Sequence, residues 1–177
     1  MAFVLEASTQ DDGGQNDVTS TAIDTTGADF IIVGVNGSLD GTTDITDSES
    51  NTWVYLGQVS SALKCWLVFD PTTSASHTFT YSENGSGPQI VVGAYSGSDG
   101  GPYDVQSSNG VFSSTISPGS LTPAEDNSLL VTIAGNFNGT FSSIDSSFTI
   151  QEAATSGNTR CALADLEQGT AAAVNPT

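Results

Sequence analysis

Residues 61–70 read "SALKCWLVFD", an apolar run that contains the only lysine of the chain, Lys64, beside one of its two cysteines, Cys65. Strand-forming residues fill the run, and serines and an Asp-Pro turn bound it, which is typical of a buried β-strand. Successive side chains of a strand point to opposite faces. We therefore expect the odd-numbered residues of this strand to face the core and the even-numbered ones, Lys64 and Trp66 among them, to face outward.

The second half of the chain contains a faint copy of this arrangement. The only arginine, Arg160, directly precedes the other cysteine in "NTRCALADL". Upstream, "FIIVGVNG" at 30–37 aligns with "SLLVTIAG" at 128–135 at nearly the same offset, which puts Arg160 in the place of Lys64. The echo predicts a weak internal pseudo-repeat.

The composition points to one all-β domain. Apolar residues make up 37% of the 177 residues, and strand formers alternate with turn formers throughout. We count about ten short segments with strand character, at the even spacing typical of a sandwich or jelly roll. The sequence therefore predicts a single antiparallel, jelly-roll-like β-sandwich over residues 1–177, with a first half at 1–97 and a second half at 98–177.

The charge of the chain restricts its partners. Twenty acidic residues and two cations give a formal net charge of −18. Two cations cannot neutralise a phosphate backbone, so the sequence excludes nucleic acid as a direct partner and disfavours an anionic membrane surface. The charge either keeps the protein soluble, suits a basic partner surface, or suits work in salt, where self-repulsion is screened.

Targeting and redox features are few. We expect no signal peptide, because no basic region is followed by an apolar one, and no apolar run is long enough to span a membrane. We therefore expect synthesis in a reducing cytosol, where Cys65 and Cys161 remain free, buried thiols. No cofactor is expected apart from the calcium considered below.

The two cations have two interpretations. Either their stems lie on neighbouring apolar surface while their heads meet cross-strand carboxylates, or a partner subunit covers the outward faces that carry Lys64, Trp66 and Arg160. Val68 beside Trp66 makes that face apolar for an exposed surface, which leaves the second interpretation open.

The echo also predicts an open sheet edge. The counterpart of "QIVVGAYSG" at 89–97 would begin beyond Thr177, and a sandwich that lacks a strand exposes unpaired main-chain groups. The N-terminal residues 2–9 are the candidate to fill that place. They either close their own sheet or reach to another copy.

Few residues suit catalysis. His77 is the only histidine, and no nucleophile motif of the GxSxG type accompanies it. Most glutamates lie at turns or strand ends, where a pair flanking a sugar is not indicated. We expect no enzyme, and we expect His77 to be a residue at a strand end that makes a main-chain hydrogen bond.

Two binding sites remain as alternatives. Four carboxylates between residues 40 and 49 supply the hard oxygens that calcium prefers, without matching an EF-hand loop; they are Asp40, Asp44, Asp47 and Glu49. A solvent-exposed aromatic platform for a glycan is also conceivable, from Trp53, Tyr55 and Tyr103.

Three stretches carry a family resemblance: "DSESNTWVYLG", "CWLVFDPTTSASHTFTYS" and "IVVGAYSG". Over roughly residues 18–97 the chain resembles a β-sandwich domain found in tailed-phage virion proteins and in some secreted bacterial proteins. The motif residues specify a fold more than a function. The resemblance implies a structural virion protein, and the chain is most similar in kind to capsid decoration, or cement, proteins.

The resemblance also implies a location, partners and an interface. The protein would bind the major capsid protein on the outside of an icosahedral shell, as a homo-oligomer, in this case a trimer. The alternative is a carbohydrate- or surface-binding module of a phage tail, a fibre or a secreted protein. The residues expected at the partner interface are Ala2, Phe3, Val4, Leu5, Lys64, Trp66, Arg160, Val174 and Pro176.

Overall fold

The computed structural model describes residues 2–14, 17–38, 44–60, 62–82, 86–98, 103–110, 117–155 and 157–177. Within these ranges the chain is all-β: it forms antiparallel strands and no helix. The strands are β1 (Val4–Asp12), β2 (Asp17–Thr19), β3 (Phe30–Ser38), β4 (Ile45–Asp47), β5 (Val54–Val59), β6 (Leu63–Phe69), β7 (Phe79–Ser82), β8 (Ser86–Ser96), β9 (Ser128–Phe137), β10 (Thr149–Ala154) and β11 (Thr159–Gln168).

The first eight strands pair in a nested order. β1 pairs with β8, β2 with β7 and β3 with β6, all antiparallel. These strands form a five-stranded central sheet, β1-β8-β3-β6-β5, and a three-stranded outer sheet, β2-β7-β4. In a jelly roll, a long antiparallel ribbon is rolled up so that the strands at its two ends lie side by side, followed by the next pair inward. The predicted all-β, jelly-roll-like sandwich is therefore confirmed.

The second half adds a layer that the sequence did not reveal. A three-stranded covering sheet, β10-β11-β9, packs on the face of the central sheet opposite the outer sheet. One core, which includes Ile31, Trp66 and Tyr81, lies between the central and outer sheets. Another, which includes Val91 and Leu163, lies between the central and covering sheets. The protein is a stack of three sheets.

This stack corrects the predicted orientation of Lys64 and Trp66. The side chains of β6 do alternate, with Cys65 toward the covering sheet and Lys64 and Trp66 toward the outer sheet. Both faces of the central sheet are covered, however, so Lys64 is only 2% exposed and Trp66 only 1%. The expectation that these two side chains face outward is wrong, because a strand in a middle layer has no outward face.

The echo between the two halves recurs as a strand order. The series β3-β6-β5 and β9-β11-β10 follow the same order, and each has a register shift in its last strand. The pairing register differs: Cys65 lies opposite Gly34, and Cys161 lies opposite Gly135. The sequence alignment instead matches Gly34 with Thr132. The second half therefore covers the jelly roll and does not build a copy of it.

Glycines let the central and covering sheets approach closely. A Cβ atom added at Gly34 would lie 2.4 Å from Cγ2 of Ile133, and one at Gly135 would lie 2.6 Å from Oδ1 of Asn36. Contacts that short do not occur between real side chains, so each glycine forms a notch for a side chain of the facing sheet. Strands β3 and β9 are held together by these notches.

A buried amide joins the same two sheets. Asn36 is almost completely buried, and its Nδ2 donates to the main-chain oxygens of Asn136 (3.1 Å) and Arg160 (2.7 Å). A buried amide that lost these acceptors would pay the cost of desolvation without compensation. Asn36 therefore fixes the position of the covering sheet on the central sheet.

Candidate functional sites

Asp47, at the end of β4, is the centre of the most connected polar cluster in the described structure. Its carboxylate accepts hydrogen bonds from main-chain N of Glu49 (2.8 Å) and Asn51 (3.1 Å), from Asn51 Nδ2 (3.1 Å), from Trp53 Nε1 (2.7 Å) and from His77 Nε2 (3.0 Å). Burial acts to raise the pKa of Asp47, but the bonds from His77, Trp53 and the main chain outweigh it and lower the pKa. Asp47 is therefore held as an anion.

His77 connects this cluster to the outer sheet. Its Nδ1 shares a hydrogen bond of 2.9 Å with Thr25 Oγ1, and its ring stacks on Phe79 at 4.3 Å between centroids. Its main-chain N donates to Ile23 O at 2.8 Å, so the predicted main-chain hydrogen bond is present. The order Thr25–His77–Asp47 is that of a nucleophilic triad. Because Thr25 and His77 are 0% exposed, no substrate can reach them in this conformation.

The three predicted calcium ligands that the structure describes, Asp44, Asp47 and Glu49, do not form a common site. Five donors of the chain already hydrogen-bond to the two carboxylate oxygens of Asp47. These oxygens are therefore not available to coordinate a calcium ion. Asp44 is exposed and accepts a long hydrogen bond from Trp66 Nε1, at 3.4 Å. Asp40 lies outside the described residues. Among those that are described, no three His, Cys, Asp or Glu side chains converge as a metal site would require.

The three aromatic residues of the predicted glycan platform lie apart. Trp53 is partly buried against Phe79, with its indole N–H bonded to Asp47. Tyr55 is exposed beside Trp66, on the side of the outer sheet. Tyr103 is exposed on the opposite side, where it lines a cleft with Cys65. They do not present one continuous surface to a sugar.

The N-terminal interface residues lie at a sheet edge of their own chain. β1 pairs along its length with β8, so residues 4–12 close their own sheet. Phe3 and Leu5 pack partly buried beside Tyr95, whereas Ala2 and Val4 are exposed. Of the two alternatives for this segment, the described structure contains the intramolecular one.

The C-terminal interface residues are also docked on their own chain. Val174 and Leu121 exchange two main-chain hydrogen bonds, of 3.0 and 2.9 Å, and Val174 is half-buried while Pro176 is buried. Asp145 accepts bonds from the main-chain N (2.7 Å) and Oγ1 (2.8 Å) of Thr177. These contacts hold the segment against the outer face of the covering sheet.

Both fixed cations act inside the fold. Lys64 Nζ donates to the hydroxyl of Tyr81 at 2.8 Å and lies 5.3 Å from the centre of its ring. Arg160 is half-buried, and its Nη1 donates to the main-chain oxygens of Thr159 (3.0 Å) and Gly157.

The exposed charge of the described residues is therefore almost entirely negative. The exposed carboxylates are Glu6, Asp12, Asp17, Asp24, Asp44, Asp70, Asp104, Glu125, Asp126, Asp145 and Glu167. With Lys64 and His77 buried, nothing of opposite sign on the described surface offsets them except the half-buried Arg160. The surface repels anions and attracts basic partners.

Uncharged sheet edges depart from this pattern, and the sequence did not predict the one at β5 as an interface. β5 is the last strand of the central sheet, and its residues Val54 and Tyr55 are 57% and 48% exposed. From residue 50 to residue 69 the chain has no carboxylate. This acid-free run between Glu49 and Asp70 is visible in the sequence, but a run of the same length lies between Asp104 and Glu125, so the pattern alone does not single out β5.

A cleft adjoins this edge. It has a volume of about 1580 Å³ and lies between the central sheet, β9 and the segment 103–110. Its walls are mainly apolar and include Leu56, Val105 and Ile133. Gln106 Nε2 donates to Leu56 O at 3.3 Å and so ties the segment 103–110 to β5.

Comparison with known proteins supplies no relative. No protein-family model, no curated protein and no solved structure matches this chain. In the part of the chain that the structure describes, no helix has the length and apolar character to cross a membrane.

Proposed function

We propose that this chain is a structural virion protein that decorates the outside of an icosahedral phage capsid and stabilises the shell. The observation that carries the proposal is a jelly-roll-like fold whose exposed charge on the described surface is almost entirely negative and is interrupted by uncharged sheet edges, that of β5 among them. Jelly rolls serve in viral capsids and in lectins, and a fold alone does not decide between them. The surface favours a role in adhesion to a basic or neutral partner.

The mechanism is association. A decoration protein adds bonds between neighbouring coat subunits, and anything that binds only the intact shell stabilises it by mass action. Several weak contacts made by one oligomer reinforce one another through their high effective concentration. The acidic exterior faces the medium, and the partner surface is the major capsid protein. We place the protein on the capsid surface as a trimer, after synthesis in the host cytoplasm.

The test uses empty heads of the phage that carries this gene, purified from a strain in which the gene is deleted. The pure protein should co-sediment with these heads, saturate at a fixed ratio to the coat subunit, and raise the temperature at which the heads open. Serum albumin, which is also acidic, is the control for adsorption. Failure to co-sediment at any concentration up to that of the coat subunits would reject the proposal.

The oligomeric state is tested by light scattering during size-exclusion chromatography. The proposal expects a mass of three chains of 18.0 kDa each. A single mass corresponding to one chain would remove the trimer from the proposal and would leave binding through monomers.

A second candidate is a carbohydrate-binding module, which the exposure of Tyr55 and Tyr103 favours. Aromatic rings can stack on sugars, but these two lie on opposite sides of the central sheet. A glycan array separates the candidates. Binding that is lost in Tyr55→Ala or Tyr103→Ala would support the module, and no binding above background would exclude it.

A further inference from the structure

We propose that the edge of β5 is the strand that docks on the shell, where it accepts an extended segment of the coat protein with an uncharged centre and Lys or Arg at its flanks. This inference rests on the proposed function and adds the surface and the partner chemistry to it. The sequence placed the interface at the two terminal segments and at the faces that carry Lys64, Trp66 and Arg160, and did not include β5.

The main chain of β5 is suited to strand addition. β5 pairs with β6 on one side, and no other described strand pairs with its outer side. β4, which precedes β5 in the chain, pairs with β7 in the outer sheet and does not cover this edge. One main-chain acceptor of β5, Leu56 O, is taken by Gln106 Nε2. Unpaired N–H and C=O groups of an edge strand are a template for a strand from another chain.

The side chains at this edge give the partner strand apolar contacts. Val54 is the most exposed of the large apolar residues in the described structure. Tyr103 and Val105, in the neighbouring segment 103–110, are exposed as well. At Gly57 no atom lies within 4 Å of the position of a Cβ. This gap admits a side chain of an added strand.

Charge distinguishes this edge from the opposite edge of the same sheet. β1 carries Glu6, Asp11 and Asp12, whereas β5 carries no charged residue. Two exposed carboxylates flank the β5 edge: Asp44, which accepts a hydrogen bond from Trp66 beside Tyr55, and Asp104, next to Tyr103 in the chain. An uncharged strip between anionic flanks matches an uncharged strand between cationic ones.

The same charges argue against a second copy of this chain as the occupant. Pairing β5 with β5 of another copy would bring the flanking carboxylates of both copies close together. The chain has no exposed lysine to compensate them, because Lys64 is buried, and Arg160 is half-buried on main-chain oxygens. The cations must come from a different protein.

The experiment compares two valines at opposite edges of the central sheet. Val54 and Val4 are 57% and 49% exposed, so Val54→Asp and Val4→Asp introduce the same charge at similar exposure. Both variants should melt close to the wild type. In co-sedimentation with the empty heads, Val54→Asp should bind about tenfold or more weakly, and Val4→Asp should bind like the wild type.

The pairing of flanking carboxylates with basic residues of the coat protein is tested with Asp44→Asn. This substitution removes the charge of the side chain and keeps its shape. Affinity for the heads should fall as NaCl rises, and this salt dependence should be weaker in Asp44→Asn than in the wild type. An unchanged salt dependence would overturn the basic-flank part of the inference.

The outcomes separate the inference from the proposed function. Binding of the wild type with undiminished binding of Val54→Asp would overturn the inference and leave the decoration role standing, and loss in Val4→Asp alone would assign the interface to the N-terminal edge. No binding by the wild type would reject both. Conversion of an oligomer to monomers by Val54→Asp, measured by light scattering without heads, would show that the occupant is a second copy and would overturn the inference.

Discussion

At the scale of single residues, polar side chains turned inward hold the outer sheet in place. Asp47 accepts bonds from the loop that follows it and from His77 on the neighbouring strand. A buried carboxylate is tolerated only when donors surround it. This explains why a chain with many spare carboxylates on its surface buries this one.

The Asp47 cluster predicts a loss of stability in acid. Its pKa is lowered in the folded protein and is about 3.9 when unfolded, so the stabilisation is present above about pH 4 and is lost as the pH falls through the folded pKa. Asp47→Asn should lower the free energy of unfolding by about 3 kcal/mol at neutral pH. It should also make that free energy fall less steeply as the pH drops from 7 to 2. Urea unfolding from pH 7 to pH 2 measures both.

The matched control for this prediction is Asp17→Asn, which removes an exposed carboxylate. It should leave the stability and the acid limb within experimental error of the wild type. An equal loss in the two variants would show that Asp47 acts only through net charge.

The two cysteines should be inert in the folded protein. Burial raises the pKa of Cys65 to about 12, and burial raises that of Cys161 as well, so almost no reactive thiolate exists at pH 8. Ellman's reagent should label neither thiol within minutes at pH 8 and both in guanidinium chloride. Cys161 is buried whereas Cys65 is half-buried at the cleft, so rapid labelling of Cys161 in the native protein would contradict the packing between the central and covering sheets.

At the scale of strands, the patterns of the sequence predicted which segments extend and which residues share a face. Alternation in β6 separated Cys65 from Lys64 and Trp66 correctly. It did not predict what covers each face, because alternation reports the geometry of one strand and not the number of layers. The unbroken apolar run of β6 was the better signal, since strands covered on both faces have no polar side.

The contact between the central and covering sheets predicts a strong effect of one methyl group. Gly34→Ala places a Cβ 2.4 Å from Ile133 Cγ2, and overpacking of this kind costs about 1–3 kcal/mol. Gly14→Ala is the control, because no atom lies within 4 Å of its Cβ position. Chemical denaturation of both variants measures the difference.

A double variant tests the cause of that effect. Ile133→Ala removes the atom that clashes, so Gly34→Ala should cost much less in the Ile133→Ala background than in the wild type. Additive losses in the double variant would place the clash elsewhere.

The candidate sites also show that closeness along the chain does not predict which side chains point toward one another. Asp44, Asp47 and Glu49 are close in the chain, but only the folded loop reveals that Asp47 faces the interior and accepts the local donors. Proximity along the chain predicts a metal site only when the side chains converge. The acid-free run around β5 was visible in the sequence, yet its meaning depends on β5 being a sheet edge.

At the scale of the whole molecule, the charge of −18 is concentrated on the outside. Repulsion among these groups is stronger in the compact state than in the unfolded chain, and salt screens it. The melting temperature should therefore rise as NaCl increases from 10 to about 150 mM, over which the screening length falls from ~30 to ~8 Å. Scanning fluorimetry measures it, and sucrose of equal osmolality serves as the control. A flat or falling curve would contradict a surface of one sign.

The nested pairing of the jelly roll also sets the order in which the molecule can be made. Val4 finds its partner only in Ser96, so β1 leaves the ribosome well before β8 has been translated and cannot pair until then. Proteins dominated by such distant pairings fold on the order of milliseconds to seconds, far slower than helical bundles. In that interval nascent copies expose apolar segments, and we expect repulsion among their acidic turns to oppose association of the unfinished chains.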